Sequence, residues 1–215
     1  MINSNINLEL IIVNDKGTDK TEEKVLELQN KFSKDKIILL QRPGKLGLGS
    51  AYKDGLKLCK GEFIFLMDAD LSHHPKFIPE FIKLHLIREQ KRLNADIITG
   101  TRYKGNGGVY GWNLFRKLTS RVANFIGQIL LNPKASDLTG SFRLYRKSLL
   151  EKLMNDILST GYVFQVEAII KAQYMGKIIG EVPISFVDRL FGKSKMGMNE
   201  IRQYLKVVWK LYKEI

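Results

Sequence analysis

Short apolar runs alternate with segments whose apolar residues recur every three or four positions through the first hundred residues. The predicted strands span residues 8–13, 36–40, 63–67 and 96–100, and the predicted helices span residues 21–32, 50–59 and 77–90. Strands that alternate with helices favour a mainly parallel sheet that helices cover on both faces. The pattern therefore predicts an α/β fold.

Two further segments predict amphipathic helices. Residues 112–131 carry an apolar stripe flanked by basic residues, and residues 199–215 intersperse apolar positions with four basic ones. One interpretation is that both helices pack on the core and turn a basic face to water. The other is an interfacial position, with the apolar side against lipid and the basic residues at the headgroups. For residues 199–215, the packed surface helix is the simpler interpretation.

The chain is strongly basic. It has 215 residues and a net charge of +13, and residues 101–147 contain nine Lys or Arg against one acid, Asp137. Such a balance favours an anionic partner: nucleic acid, an acidic membrane surface or a phosphorylated substrate. A single cysteine, Cys59, excludes an internal disulfide bond. No apolar stretch approaches the ~18 residues that cross a bilayer, so any membrane contact is expected to be peripheral.

Two carboxylates follow the third predicted strand. Asp68 and Asp70 are separated by Ala69 and come directly after an apolar run. Ligands of open α/β sheets gather at the carboxyl ends of the strands, where paired carboxylates can hold Mg²⁺ or Mn²⁺ against the phosphates of a nucleotide. The alternative is a strand end that is acidic without a bound ion. The position in so basic a chain favours a nucleotide or nucleotide-sugar site.

Several segments together resemble the catalytic subunits of the dolichol-phosphate mannosyltransferase family. They span residues 46–52, 67–75, 100–112, 136–145 and 180–189. The resemblance runs from about Leu10 to the C-terminus and implies one domain over residues 1–215, ending in a basic amphipathic helix at about 199–215. It implies the GT-A fold of inverting family 2 glycosyltransferases, with a Rossmann-like, mainly parallel sheet.

The same resemblance implies an activity and a place. The activity is mannose transfer from GDP-mannose to dolichyl phosphate, which supplies N-glycan, GPI-anchor and O-mannose synthesis. The place is the cytosolic face of the endoplasmic reticulum membrane, where small hydrophobic partner subunits anchor the enzyme. Nucleic acid is not among the expected partners.

For the donor, the resemblance implies binding by residues on three segments. Asp68 and Asp70 hold the divalent cation, and Arg189 lies in a loop that closes over the phosphates. The implied nucleotide-sugar residues are Asp15, Asp68, Ala69, Asp70, Arg189 and Lys195. Asp70 and Arg189 are the implied catalytic residues, while a surface ion pair of Arg189 with Asp188 or Glu181 is the structural alternative.

For the acceptor, the candidates are Arg102, Arg116, Arg143 and the hydroxyl of Ser141. A guanidinium group offers a planar fork that suits a phosphate. Because a phosphate monoester has a second pKa near ~6, its oxygen is already charged at neutral pH. A dedicated general base is therefore less necessary than it is for a sugar hydroxyl.

The chain departs from the family at its N-terminal end. Members of the family begin with a further strand and a Pro-x-Tyr-Asn-Glu segment, and this chain has nine residues before Leu10 and neither feature. The first strand is therefore expected to be missing from the sheet. Two alternatives to mannose transfer stay open: another polyisoprenyl-phosphate glycosyltransferase, with UDP-glucose as an example of the donor, or, because of this departure, a catalytically silent membrane-binding module.

Overall fold

The computed structural model describes residues 6–17, 19–92, 94–157, 159, 161, 163–189 and 197–214. The strands are β1 (Leu10–Asp15), β2 (Ile37–Arg42), β3 (Phe63–Leu66), β4 (Ile97–Thr101), β5 (Gly108–Tyr110), β6 (Arg143–Arg146), β7 (Ile179–Pro183) and β8 (Ser185–Val187). The helices are α1 (Thr21–Phe32), α2 (Leu48–Leu56), α3 (Ile78–Gln90), α4 (Leu114–Leu131), α5 (Lys147–Asp156), α6 (Phe164–Tyr174) and α7 (Met198–Glu214).

The strands form three sheets within the described residues. A four-stranded sheet has the order β3-β6-β4-β7, in which β6 runs antiparallel to both neighbours and β4 runs parallel to β7. The pairs β1-β2 and β5-β8 are parallel two-stranded sheets. Among the described residues β1 does not pair with β3, so the strands do not form one continuous sheet.

Two apolar clusters cover opposite faces of the central strand β4. Ile97 belongs to the cluster that α5, α6 and α7 complete, and the next residue, Ile98, belongs to the cluster with Phe81 of α3. This alternation is the normal consequence of a strand geometry in which successive side chains point to opposite faces. The predicted α/β fold with helices on both faces is confirmed.

The helix α4 shows an unusual distribution of side chains. Its buried residues are Ser120, Asn124, Gly127 and Leu131, whereas its exposed residues include Phe115 at 77% and Phe125 at 64% of full exposure. The interpretation of α4 as a helix that packs its whole apolar stripe on the core is therefore wrong. Trp112 belongs to that predicted stripe, but it is buried and precedes the helix, which Asn113 caps by accepting a hydrogen bond from the Arg116 amide at 2.8 Å.

The C-terminal helix α7 packs as predicted along most of its apolar stripe. Tyr204, Val208 and Leu211 are buried, and the Tyr204 hydroxyl donates a hydrogen bond to the Ala123 carbonyl of α4 at 2.5 Å. Trp209 and Tyr212 stay exposed on the outer side of the helix. α4 and α7 are thus fixed side by side, and both present apolar side chains outward.

Candidate active site

The acidic turn after β3 is held by side chains from two other parts of the chain and by a residue of the turn itself. Asp68 Oδ2 accepts a hydrogen bond from the Ser141 hydroxyl at 2.8 Å, and Oδ1 accepts one from the Tyr52 hydroxyl of α2 at 3.4 Å. Asp70 Oδ1 accepts hydrogen bonds from the amide and the hydroxyl of Ser72. The turn is therefore fixed with both carboxylates at the carboxyl end of the strand.

Arg189 pairs with the second carboxylate of this turn. Its Nη2 atom lies 3.2 Å from Asp70 Oδ2, which joins the segment after β8 to the turn after β3. Burial alone raises the pKa of Asp70, but the hydrogen bonds from Ser72 and the charge of Arg189 lower it below its usual value. Asp70 is consequently ionised at neutral pH, as a ligand of a divalent cation must be.

His73 supports the turn from beneath. The Asp68 amide donates a hydrogen bond to its Nδ1 atom at 3.1 Å, and its ring stacks on Phe142 with the centroids 5.1 Å apart. Burial lowers the pKa of His73, although the charges of Asp68 and Asp70 oppose that change. The imidazole is therefore neutral, and because Nδ1 accepts, its proton sits on Nε2.

A cavity of about 490 Å³ begins at this turn and continues between α4 and α7. One part of its wall is polar and contains Asp68, His73, Arg102, Arg116, Ser141 and Arg189. The other part is apolar and contains Leu118, Val122, Ile126, Ile201, Tyr204 and Leu205. The space suits an amphiphile whose charged group lies at the acidic turn and whose apolar chain lies between the helices.

Arg102 lines the cavity, and a buried ion pair with Asp137 holds its side chain in place. Arg102 Nε lies 2.7 Å from Asp137 Oδ2, and Nη2 lies 2.8 Å from Oδ1. Asp137 also accepts hydrogen bonds from the amides of Thr139 and Gly140. Burial favours the neutral form of each partner, but their mutual attraction raises the pKa of Arg102 and lowers that of Asp137. Both groups stay charged, with Arg102 rigidly oriented.

Arg116 lies on the same wall, above Trp112. Its guanidinium carbon is 4.2 Å from the Trp112 ring centre, and its Nη1 atom lies 2.7 Å from Asp188 Oδ1. Arg116 Nε and Trp112 Nε1 are buried donors that make no hydrogen bond within the described residues. Because an unpaired buried donor is unfavourable, these two groups mark a place where an acceptor oxygen of a ligand is favoured.

The structure does not bring every predicted residue to the cavity. Arg143 is fully buried in the core and donates to the main-chain oxygens of Gln165 and Leu138 at 2.6 and 3.0 Å. It is not among the residues that line the cavity, so the cavity gives no support to the prediction that Arg143 contacts an acceptor phosphate. Its position on β6, between β3 and β4, directs the side chain into the protein.

The other residues predicted to bind the donor lie in different surroundings. Asp15 lies at the end of β1 and forms an ion pair with Arg42, at 2.5 Å from Nη2, and it is not part of the cavity wall. Ala69 separates the two carboxylates of the turn. Lys195 lies outside the described residues. Arg189 contacts Asp70 through its side chain, whereas Glu181 pairs with Lys104 at 3.2 Å.

Residues outside the predicted donor and acceptor sets complete the site. Tyr52, His73 and Trp112 contact the predicted residues directly, and Asp137 orients Arg102. Asp137 had a visible signal, since it is the one acid in the basic stretch 101–147. A carboxylate in such surroundings is well suited to bind a buried cation. Tyr52 had no comparable signal, because its contact with Asp68 depends on how α2 packs.

A comparison with protein-family models decides the family. The model described as "Glycosyl transferase family 2" matches residues 2–154 of the chain. This chain belongs to glycosyl transferase family 2. The assignment agrees with the acidic turn after β3 and with the cavity that begins there.

Two relatives of this glycosyltransferase have names that specify a substrate. The chain is 35% identical over 212 residues to a dolichol-phosphate mannosyltransferase of Pyrococcus furiosus, covering 97% of this chain but 56% of that protein. It is 33% identical over 200 residues to a polyprenol monophosphomannose synthase of Mycolicibacterium smegmatis, covering 91% of this chain and 73% of that protein. The chain therefore spans little more than half the length of the Pyrococcus relative.

The solved structures that resemble this glycosyltransferase include glucosyl-3-phosphoglycerate synthase from Mycobacterium tuberculosis. One such structure, with phosphoglyceric acid, has a TM-score of 0.65 at 17% identity and covers 95% of this chain and 69% of that one. Another, with Mn²⁺, UDP-glucose and phosphoglyceric acid, has a TM-score of 0.64 at 17% identity. These likenesses show the GT-A fold.

The carboxylates of the acidic turn fit a divalent cation. Among the described residues, no group of three or more His, Cys, Asp or Glu side chains is placed to hold a metal ion. Mg²⁺ is commonly held by one or two carboxylates together with substrate phosphates and water. Asp68, Asp70 and the Ser72 hydroxyl supply hard oxygen donors of this kind. The donor set therefore suits Mg²⁺ or Mn²⁺ in the presence of a nucleotide diphosphate.

Proposed function

We propose that this protein transfers mannose from GDP-mannose to dolichyl phosphate, or to a closely related polyprenyl phosphate, at a membrane surface and with inversion at the anomeric carbon. The observation that carries the proposal is the cavity that joins an acidic turn and three arginines to an apolar space between α4 and α7. The names of the two relatives support mannose and a polyprenyl phosphate as the substrate classes.

The acidic turn and Arg189 form the donor end. Asp68 and Asp70 would hold a divalent cation, which when bound would supply Lewis-acid stabilisation of the leaving diphosphate. Ser141 and Tyr52 orient the Asp68 carboxylate, and Ser72 orients that of Asp70. Arg189 adds a guanidinium beside the same turn, where it neutralises charge that develops on the diphosphate.

Arg102 and Arg116 form the acceptor end. Asp137 fixes the first guanidinium, and Trp112 and Asp188 fix the second. A phosphate between them accepts hydrogen bonds from preoriented donors, including the unpaired Arg116 Nε. The phosphate oxygen is already anionic, so the site needs to position it rather than to remove a proton from it.

The outer surfaces of α4 and α7 provide the contact with lipid. Leu118, Val122 and Leu205 belong both to the cavity wall and to the exposed apolar surface, so an isoprenoid chain in the cavity continues into that surface. No helix among the described residues is long and apolar enough to cross a bilayer. The endoplasmic reticulum and the hydrophobic anchoring subunits stay predictions from the family resemblance.

The test is transfer of labelled mannose from GDP-mannose to dolichyl phosphate, with Mg²⁺ or Mn²⁺ and with chelator. We expect a mannolipid product that requires the cation. UDP-glucose in place of GDP-mannose distinguishes the other polyprenyl-phosphate transferases, since a glucolipid without a mannolipid contradicts the proposal. Absence of both products and of metal-dependent GDP binding supports the silent membrane module instead.

Replacing both acids tests the role of the turn. In D68N/D70N we expect the transfer rate to fall at least about a hundredfold, which corresponds to ~2.7 kcal/mol of transition-state stabilisation. The double variant D35N/D156N removes two exposed carboxylates outside the cavity and is expected to keep the rate. An active D68N/D70N protein would refute the assignment of the donor end.

A further inference from the structure

A second cavity lies on the other side of Arg102 and Trp112. It has a volume of about 450 Å³ and lies between the segment 103–109 and the first half of α4. Its wall includes three cations, Arg102, Lys117 and Arg121, and no carboxylate. Arg102 and Trp112 line both cavities, so they separate this space from the transfer site.

Two of these three cations are not neutralised by the protein. Asp137 compensates Arg102, but neither Lys117 nor Arg121 forms an ion pair with a carboxylate of the described chain. They stand four positions apart on α4, an arrangement in which like charges repel. An anion between Lys117 and Arg121 relieves that repulsion, so the wall is complementary to a negatively charged group.

The cavity also borders the apolar surface of α4. Leu114 and Leu118 are part of its wall, and they are exposed at 82% and 60% on the stripe proposed to contact lipid. A cationic pocket beside an apolar surface matches the level of the headgroups in a bilayer, where phosphates lie just outside the acyl chains. Both the charge and the position therefore specify the same class of ligand.

We propose that this cavity binds the phosphate of an anionic membrane phospholipid and so orients α4 and the mouth of the transfer cavity on the bilayer. The proposal rests on the membrane contact proposed above, but it does not require the transfer reaction. The shared chemistry of the ligand is a phosphate ester, which is available either from a lipid or from a soluble metabolite.

Vesicle binding by variants of the full chain tests the proposal. Binding is measured to vesicles of phosphatidylcholine alone and of phosphatidylcholine with phosphatidylglycerol, without donor or acceptor. We expect K117Q/R121Q to lose roughly tenfold or more of the preference for anionic vesicles, as two basic residues at such a surface supply. The control K34Q/K36Q removes two exposed lysines before β2 and is expected to change the preference less than about twofold. An equal loss in both variants overturns the proposal, because net charge then explains the binding.

A cavity-filling variant shows whether the preference for anionic vesicles depends on a defined pocket or on a general attraction between basic residues and the membrane. Gly108 lines the cavity, and a Cβ atom added there meets no atom within 4 Å, so G108L adds bulk and retains every cation. We expect G108L to lose most of the anionic preference while it keeps its binding to phosphatidylcholine. Full retention of the preference in G108L overturns the proposal that this cavity binds the phosphate.

Two further comparisons identify the source of the phosphate and separate this proposal from the proposed function. Glycerol 3-phosphate is added as a competitor: no competition supports a lipid ligand, and full competition at equal phosphate concentration overturns the lipid assignment. A wild-type chain with the anionic preference but without mannosyl transfer refutes the proposed function alone. A chain that transfers mannose but lacks the preference refutes this proposal alone.

Discussion

Arg102 and Asp137 form an ion pair in which both side chains are almost completely buried. Each desolvated charge depends on the other, so removing one leaves an uncompensated charge in the interior. The exposed pair Arg146 and Glu62 has the same chemistry, at 2.6 Å, but Glu62 is largely in water. At the scale of residues, burial rather than distance decides how much a pair of charges matters.

This contrast leads to a prediction about stability. We expect D137N to lower the free energy of unfolding by about 3–5 kcal/mol, and E62Q to lower it by less than about 1 kcal/mol. Urea unfolding at pH 7 with circular dichroism measures both. A similar, small effect of the two substitutions would show that Arg102 does not depend on its buried partner.

The same pair gives stability a dependence on pH. Burial by itself raises the pKa of Asp137, but the charge of Arg102 and its hydrogen bonds bring the pKa in the folded state below its ordinary value. Stabilisation by this carboxylate is therefore complete above the unfolded pKa of about 3.9 and is lost as the pH falls through the lower, folded value. We expect the free energy of unfolding of the wild type to decrease between about pH 5 and pH 3 by more than that of D137N. Parallel curves would contradict the assignment.

The helix α4 inverts the usual distribution of an amphipathic helix. Its buried face carries small and polar groups, which make specific contacts: Asn124 Nδ2 donates to the Ser120 carbonyl, and Asn124 Oδ1 accepts from the Leu138 amide at 2.8 Å. Most of its large apolar side chains are exposed, whereas Leu131 at its C-terminal end is buried. At the scale of the element, the helix is held by hydrogen bonds on one side and exposes a contiguous apolar surface on the other, as interaction sites do.

Substitutions in the exposed stripe of α4 should weaken membrane binding without lowering the stability of the fold. We expect F115S/F125S to unfold within about 0.5 kcal/mol of the wild type, because exposed substitutions rarely change stability, and to bind phosphatidylcholine vesicles at least about tenfold more weakly, as the loss of two buried aromatic groups implies. The control L26S/F32S removes two exposed apolar residues from α1 and should keep its binding to vesicles. Loss of binding in the control alone would place the membrane contact elsewhere.

At the scale of the whole molecule, one continuous space connects the acidic turn to the gap between α4 and α7. The turn belongs to the sheet, whereas the gap exists because α7, the last element of the described chain, packs against α4. The two ends of the cavity are therefore built by distant segments, and each end can be changed while the other stays intact.

Narrowing the apolar part of the cavity should weaken the binding of the acceptor and leave the binding of the donor unchanged. Val122 is half-exposed and lines the cavity, whereas Ile129 is exposed on the same helix outside it. We expect V122W to raise the KM for dolichyl phosphate by about tenfold, since ~1.4 kcal/mol of apolar contact is lost, while the KM for GDP-mannose is unchanged. I129W, the matched control, should leave both constants unchanged. A rise in the donor KM of V122W would contradict the division of the cavity.

The sequence by itself determined the alternation of strands and helices, the position of Asp68 and Asp70 after an apolar strand, and the concentration of basic residues in 101–147. These features are local, because backbone periodicity and the order of neighbouring residues specify them. Whether a basic residue faces a ligand or the core is not a local property, because neighbouring residues in the sequence do not specify it. Arg102 and Arg143 look alike in the sequence, yet one lines the cavity and the other binds main-chain oxygens inside the protein.

Only the tertiary structure decided those questions, because each depends on contacts between residues far apart in the chain. Asp137 meets Arg102 across 35 positions, and Ser141 meets Asp68 across 73. The orientation of α4 was decided in the same way: the amphipathic pattern allowed either face to be buried, and the hydrogen bonds of Asn124 together with the packing of Tyr204 fixed which one is.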